Sequence, residues 1–139
     1  MSSHEEVAKA FMRCDSLTGS RMFSEGDTIY SYGHHFPIAK HTAWGFIFNK
    51  NGYSVSTAKH KGIVLRAIGS SEIIELIDCN ENKAEETFRR NMAEMENLIL
   101  KKERARTRKD FYNSQIEELL EQQSRIKDRY LKAKAIEML

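Results

Sequence analysis

Proline and glycine are scarce in this chain, and unevenly placed. Its 139 residues hold one proline, Pro37, and seven glycines, all between Gly19 and Gly69. From residue 70 onward there is neither, so no breaker interrupts a long helix in the second half. Cysteine is nearly absent. Cys14 and Cys79 offer neither a CxxC spacing nor a disulfide framework, and both are expected to be free thiols buried as small hydrophobes in a reducing cytoplasm. No apolar run reaches transmembrane length, and Met1-Ser2-Ser3-His4-Glu5-Glu6 lacks the basic and apolar regions of a secretion signal, so no membrane partner is expected. A formal net charge of +2 leaves the chain as a whole without the excess that marks a polyanion binder. What is present is 40% hydrophobic and 30% charged residues, enough apolar matter for a core in part of the chain.

Composition and periodicity predict an α+β fold: an α+β head over 1–79, then a long charged helix or helical hairpin over 80–139. His4 to Cys14 reads as a short helix with Val7, Ala8, Phe11 and Met12 on one face. Met22–Ser24 and Thr28–Tyr32 flank Glu25-Gly26-Asp27, the turn of a hairpin. Phe36–His41 and Trp44–Asn49 are further strands, with Pro37 at an edge or a strand start, and Trp44, Phe46 and Phe48 alternating onto one face. Asn51-Gly52 predicts a turn into a brief return strand at Tyr53–Val55. Ser54 or Ser56 caps a helix that runs to Ile68 and closes at Gly69, burying His60, Ile63, Val64 and Ala67. The run Ile73, Ile74, Leu76 and Ile77 fits a short helix or a buried strand equally well.

Beyond Asp78 the helical signal is strong. Asp78 with Glu81, or Asn82 with Glu85, has capping-box spacing. One apolar series runs through Ala84, Phe88, Met92, Met95 and Ile99. A second runs through Tyr112, Ile116, Leu119, Gln123, Ile126, Tyr130 and Ala133. Both have coiled-coil spacing, but they do not share one heptad frame, which calls for a bend, a stutter or a hairpin between them. The net charge alternates: −2 over 81–100, +4 over 101–110, −3 over 111–124 and +3 over 125–139. Antiparallel packing sets opposite signs together, so the expected partner is the chain itself, as an intrachain hairpin or an antiparallel homodimer. Phe88, Met92, Met95, Ile99, Tyr112, Ile116, Leu119, Ile126 and Tyr130 are the predicted association residues.

Four places could carry chemistry. His34, His35, His41 and His60 are numerous, but no metal-ligand spacing joins them, so neither a metal nor another cofactor is expected. A hydrolase or nuclease site would need His34 or His41 beside Lys59 and His60. Ser56, Thr57, Lys59 and His60 at a helix start have the hydroxyls, the cation and the free N–H groups to hold an anion, a spacing shared with ordinary helix caps. Tyr30 and Tyr32, read on one strand face, could stack against a partner or a base. Finally, Lys101, Lys102, Arg104, Arg106, Arg108 and Lys109, followed by Phe111 and Tyr112, could meet a phosphate backbone, unless the acidic block 111–124 neutralises them.

The run Tyr30-Ser31-Tyr32-Gly33, then Pro37-Ile38-Ala39, then Asn51 through Tyr53-Ser54-Val55-Ser56-Thr57-Ala58-Lys59-His60, resembles a short domain of bacteriophage and prophage proteins. In that domain a SYG…IA strand pair precedes a YSxTTxKH pattern leading a helix. The likeness covers residues 21–69; Ser56-Thr57 stands where two threonines are usual, and the two histidines after Gly33 are atypical. That domain has no assigned activity, so the resemblance implies a viral origin and a bacterial host cytoplasm, and transfers no catalytic residue. The leading expectation is a non-enzymatic phage accessory protein, for host takeover or anti-defence, that associates through its tail and binds a host or defence protein with its head. A nucleic-acid-binding module and a small hydrolase are the alternatives.

Overall fold

Ser3 opens the first helix. Its hydroxyl accepts the Glu6 N–H at 3.2 Å, and the Glu6 carboxylate accepts the Ser3 N–H at 3.1 Å. This reciprocal box starts α1, His4–Met12, which buries Val7, Ala8, Ala10 and Phe11. The structure is a computed structural model that describes residues 2–131 apart from Trp44 and Ser70. The chain divides into two compact units, Met1–Asn80 and Glu81–Leu139.

The first unit is built on a six-stranded sheet whose spatial order is its chain order. The strands are β1 (Leu17–Thr18), β2 (Met22–Glu25), β3 (Thr28–Ser31), β4 (Pro37–Thr42), β5 (Gly45–Asn49) and β6 (Ile73–Leu76). Neighbours are antiparallel from β1 to β5, and β6 lies parallel to β5. Gly26 makes the tight β2–β3 turn at φ 57°, a conformation that a side chain would strain. Pro37 begins β4, where its missing N–H breaks no ladder bond within the strand. The crossover to β6 is α2, Val55–Ile68, capped by Ser54 and followed by Gly69 at φ 71°. Phe11, Met22, Ile29, Ile38, Phe48 and Val64 form the middle of the core that α1, α2 and the sheet share.

Several expectations need correction. Tyr53–Val55 is not a return strand: Ser54 is already the cap of α2, and β5 takes β6 as its neighbour instead. Ile73–Leu76 is therefore a strand, with Ile74 and Leu76 buried. No capping box starts the helix after Asp78, because that carboxylate is engaged elsewhere: Asn51 Nδ2 donates to Asp78 Oδ1 at 2.7 Å, and the Asp78 N–H binds Asn49 Oδ1. Helix α3 begins only at Ala84, after a 3₁₀ turn at Glu81–Lys83, with Lys83 at the cap position and no side-chain cap. Cys79 is buried as expected, its thiol donating to the Ile47 carbonyl at 3.3 Å, but Cys14 is exposed. Trp44 and Ala133 lie outside the described residues.

The second unit is an intrachain helical hairpin. Helix α3 (Ala84–Arg104) packs on α4 (Lys109–Ile126), and a π-helical turn over Lys127–Leu131 extends the latter. Ala105 turns extended and Arg108 takes a left-handed φ of 66°, so four residues reverse the chain inside the basic stretch. Of the seam residues, Phe88, Met95 and Ile126 are buried, Ile99 is exposed, and Met92, Tyr112, Ile116, Leu119 and Tyr130 are half-buried. Polar groups share the interior: Asn91 Nδ2 donates to Gln123 Oε1 at 2.9 Å, and Gln123 Nε2 donates to the Phe88 carbonyl at 2.9 Å.

Candidate functional site

The end of β3 meets the first turn of α2 in a chain of side-chain hydrogen bonds that is buried at Ser31, Thr57 and His60 and reaches the surface at Ser54. Ser31 Oγ lies 2.7 Å from His60 Nδ1 and 3.2 Å from Thr57 Oγ1. Ser54 Oγ donates to Thr57 Oγ1 at 3.1 Å while accepting the Thr57 N–H, which is its capping bond. Ser31, Thr57 and His60 are all buried. Ser31 and His60 lie twenty-nine positions apart in the sequence, so two distant segments close one network. The His4 ring packs edge-on against His60 at 4.6 Å, and Tyr32 lies 5.5 Å from it. Burial holds the His60 imidazole below its ordinary pKa, and the His4 and Arg21 charges push the same way.

Immediately after Ser31 the backbone turns through a rare conformation. Tyr32 has φ 65° although it is not glycine. Its N–H donates to the Arg21 carbonyl at 2.8 Å, Gly33 N–H to Ser31 O, and Ser31 N–H to Phe36 O, so the turn is held from both sides. A Cβ at Gly33 would come within 2.9 Å of the ring of His35, an exposed side chain that would have to swing aside. Tyr32 and Tyr30 therefore do not share a strand face: Tyr30 stacks on Phe23 at 5.0 Å, and Tyr32 leaves the sheet with 43% of its surface exposed. Tyr53, just before the Ser54 cap, is 65% exposed and Val55, just after it, 77%. Tyr53 touches the rings of His35 and Phe36, so the β3–β4 loop and the start of α2 present one aromatic surface.

The histidines are not brought to a common centre. His34 Nε2 pairs with Glu25 at 2.8 Å on the surface, and His41 Nε2 binds the Phe11 carbonyl at 2.6 Å. Lys59 is exposed while His60 is buried. Among the described residues no group of three or more His, Cys, Asp or Glu side chains could hold a metal ion. Of the four residues weighed as an anion cradle or an ordinary helix cap, Thr57 and His60 are buried, Ser56 is half-buried and Lys59 exposed, and Ser54 makes the cap by accepting the Thr57 N–H. A groove of about 540 Å³ runs between α1 and α2, past Met12, Ile63, Lys9 and Arg66, and none of the predicted site residues lines it. Spacing did not reveal Ser31, Ser54, Tyr53 or Val55 as site residues; the Tyr-Ser pair that occurs at both 30–31 and 53–54 was the available signal.

At the hairpin turn, Lys101, Arg104, Arg106, Arg108 and Lys109 are exposed and Lys102 is half-buried. None of the six forms an ion pair among the described residues, and Glu121 of the acidic block is paired with Arg125 at 2.6 Å instead. The expected neutralisation by 111–124 is thus not made within the chain. No protein-family model, no curated protein and no solved structure matches this chain. Among the described residues no helix is long and apolar enough to cross a membrane.

Proposed function

We infer that the chain is a non-catalytic phage accessory protein whose head binds a host or defence protein through Tyr32, Tyr53 and Val55. The observation that carries this is Tyr32, held at φ 65° with 43% of its surface exposed and its ring against His60. A non-glycine residue in that region costs about 1–3 kcal/mol and persists only where its surroundings enforce it. Here the enforced conformation leaves an aromatic side chain partly exposed in the same unit as the exposed Tyr53, tyrosine being a residue type enriched at the centres of protein interfaces. The hydrogen bonds that join Ser31, Thr57 and Ser54 tie the strand end preceding Tyr32 to the helix start following Tyr53. A nucleophilic role for Ser31 with His60 as base is disfavoured by the burial of both side chains, which leaves a substrate no approach. The pattern in residues 21–69 supports a phage origin, and a second copy is the proposed cover for the apolar surface left on the hairpin.

Affinity capture from bacterial host lysate tests the head. The wild type should retain a discrete partner that Tyr32→Ser/Tyr53→Ser loses at least about tenfold, the scale of one interface anchor. Retention of the same proteins by both, or a turnover abolished by His60→Ala, would remove the head surface from consideration.

A further inference from the structure

The turn of the hairpin is a second, separate candidate site. Phe111, in the first turn of α4, is 47% exposed, although the hairpin has an interior that could take an aromatic ring. The Arg108 guanidinium lies over its ring, 4.6 Å from the centroid, and Tyr112 packs edge-on at 5.6 Å. Lys101, Lys102 and Arg104 end α3, Arg106 lies in the turn and Lys109 starts α4, all without an ion pair among the described residues. Helix α4 starts with no side-chain cap, so its first N–H groups and the positive end of its dipole face the same turn.

We propose that this turn binds single-stranded nucleic acid, with Phe111 stacking on an unpaired base and the surrounding cations holding the flanking phosphates. A duplex keeps its base faces against one another, so it would meet the cations but leave Phe111 facing sugar and phosphate. A single strand uses both elements, since every base offers a face for an aromatic ring and every linkage a negative charge. Arg108, stacked on the ring, adds its cation to the same contact. This site is independent of the tyrosine surface on the head.

Full-length protein is titrated with a twelve-residue oligothymidylate, with a duplex of equal length, and with phosphatidylserine-containing vesicles. Tighter binding to the single strand than to the duplex is expected. Phe111→Ala should weaken single-strand binding about tenfold, in the range of one lost base stack, and leave the weaker duplex binding unchanged. Replacing Lys101, Arg104 and Arg106 by Gln should lower the slope of log affinity against log salt by roughly 2, about 0.7 for each phosphate contact. Equal affinity for both oligonucleotides, with no effect of Phe111→Ala, would overturn the inference. Binding to the vesicles alone, lost in Phe111→Ala, would overturn it in favour of a membrane surface, and binding to none of the three would remove the site.

Discussion

His60 is asked to remain neutral. Its Nδ1 contacts Ser31, its ring is flanked by His4 and Tyr32, and a proton there would sit buried near Arg21. An unfolded histidine titrates near about pH 6.5. Below that value the unfolded chain takes up a proton that the folded site resists. Stability of the head is therefore fully present above about pH 6.5 and falls as the pH drops toward the lowered folded value. Urea unfolding at pH 8 and pH 5, followed through methyl signals of Val64 and Ile68, should show the decline, and His60→Asn should flatten most of it. The buried role of His60 was legible from its helical spacing with Val64; its bond to Ser31 was not. Twenty-nine residues separate the two, and periodicity says nothing about which strand end meets which helix start. Tyr32 was misplaced for a related reason: alternation extends a strand on paper, whereas φ 65° ends it.

Helices α3 and α4 carry a polar pair inside their contact. Asn91 is buried and bonds Gln123 through its amide nitrogen, but Asn91 Oδ1 has no partner. A buried polar atom left unmatched costs about 1–3 kcal/mol. Replacing Gln123 alone by Met should therefore destabilise the hairpin by about that amount, since the Asn91 amide is then stranded as well. The double variant Asn91→Leu/Gln123→Met should be at least as stable as the wild type, while losing the feature that fixes the register of the two helices. Urea midpoints for the three proteins decide this; a double variant weaker than either single change would mean that the pair contributes net stability. Sequence periodicity located two apolar series that do not share one frame, which left a bent or stuttered single helix and a hairpin open alike. It could not say that the break is a four-residue reversal, nor that Asn91 is interior, since a polar residue inside a seam has no apolar signature. The late start of α3 was hidden in the same way: Asp78 has a cap's spacing but spends its carboxylate on Asn51.

For the whole molecule, forming the hairpin within one chain buries Phe88, Met95 and Ile126 without a second copy, yet it leaves Leu120 with 53% of its surface in water midway along α4. Self-association is expected to use that remaining surface. Light scattering at micromolar concentration should report a dimer, and Leu120→Asp should give a folded monomer, because a charge at an exposed site costs the single chain little and the interface much. A wild-type monomer would confine all helix pairing to the hairpin. The sheet of the first unit has one further consequence. Because its strands lie side by side in the order in which they are made, each can join its neighbour as it leaves the ribosome, until β5. That strand must wait through the whole of α2 for β6, and the polar clasp from Asp78 to Asn49 and Asn51 arrives only with the residues just beyond. Until Ile73 is available β5 is an open edge, and the synthesis of the twenty-three residues between Asn49 and Ile73 is the interval in which the head is most exposed to mispairing.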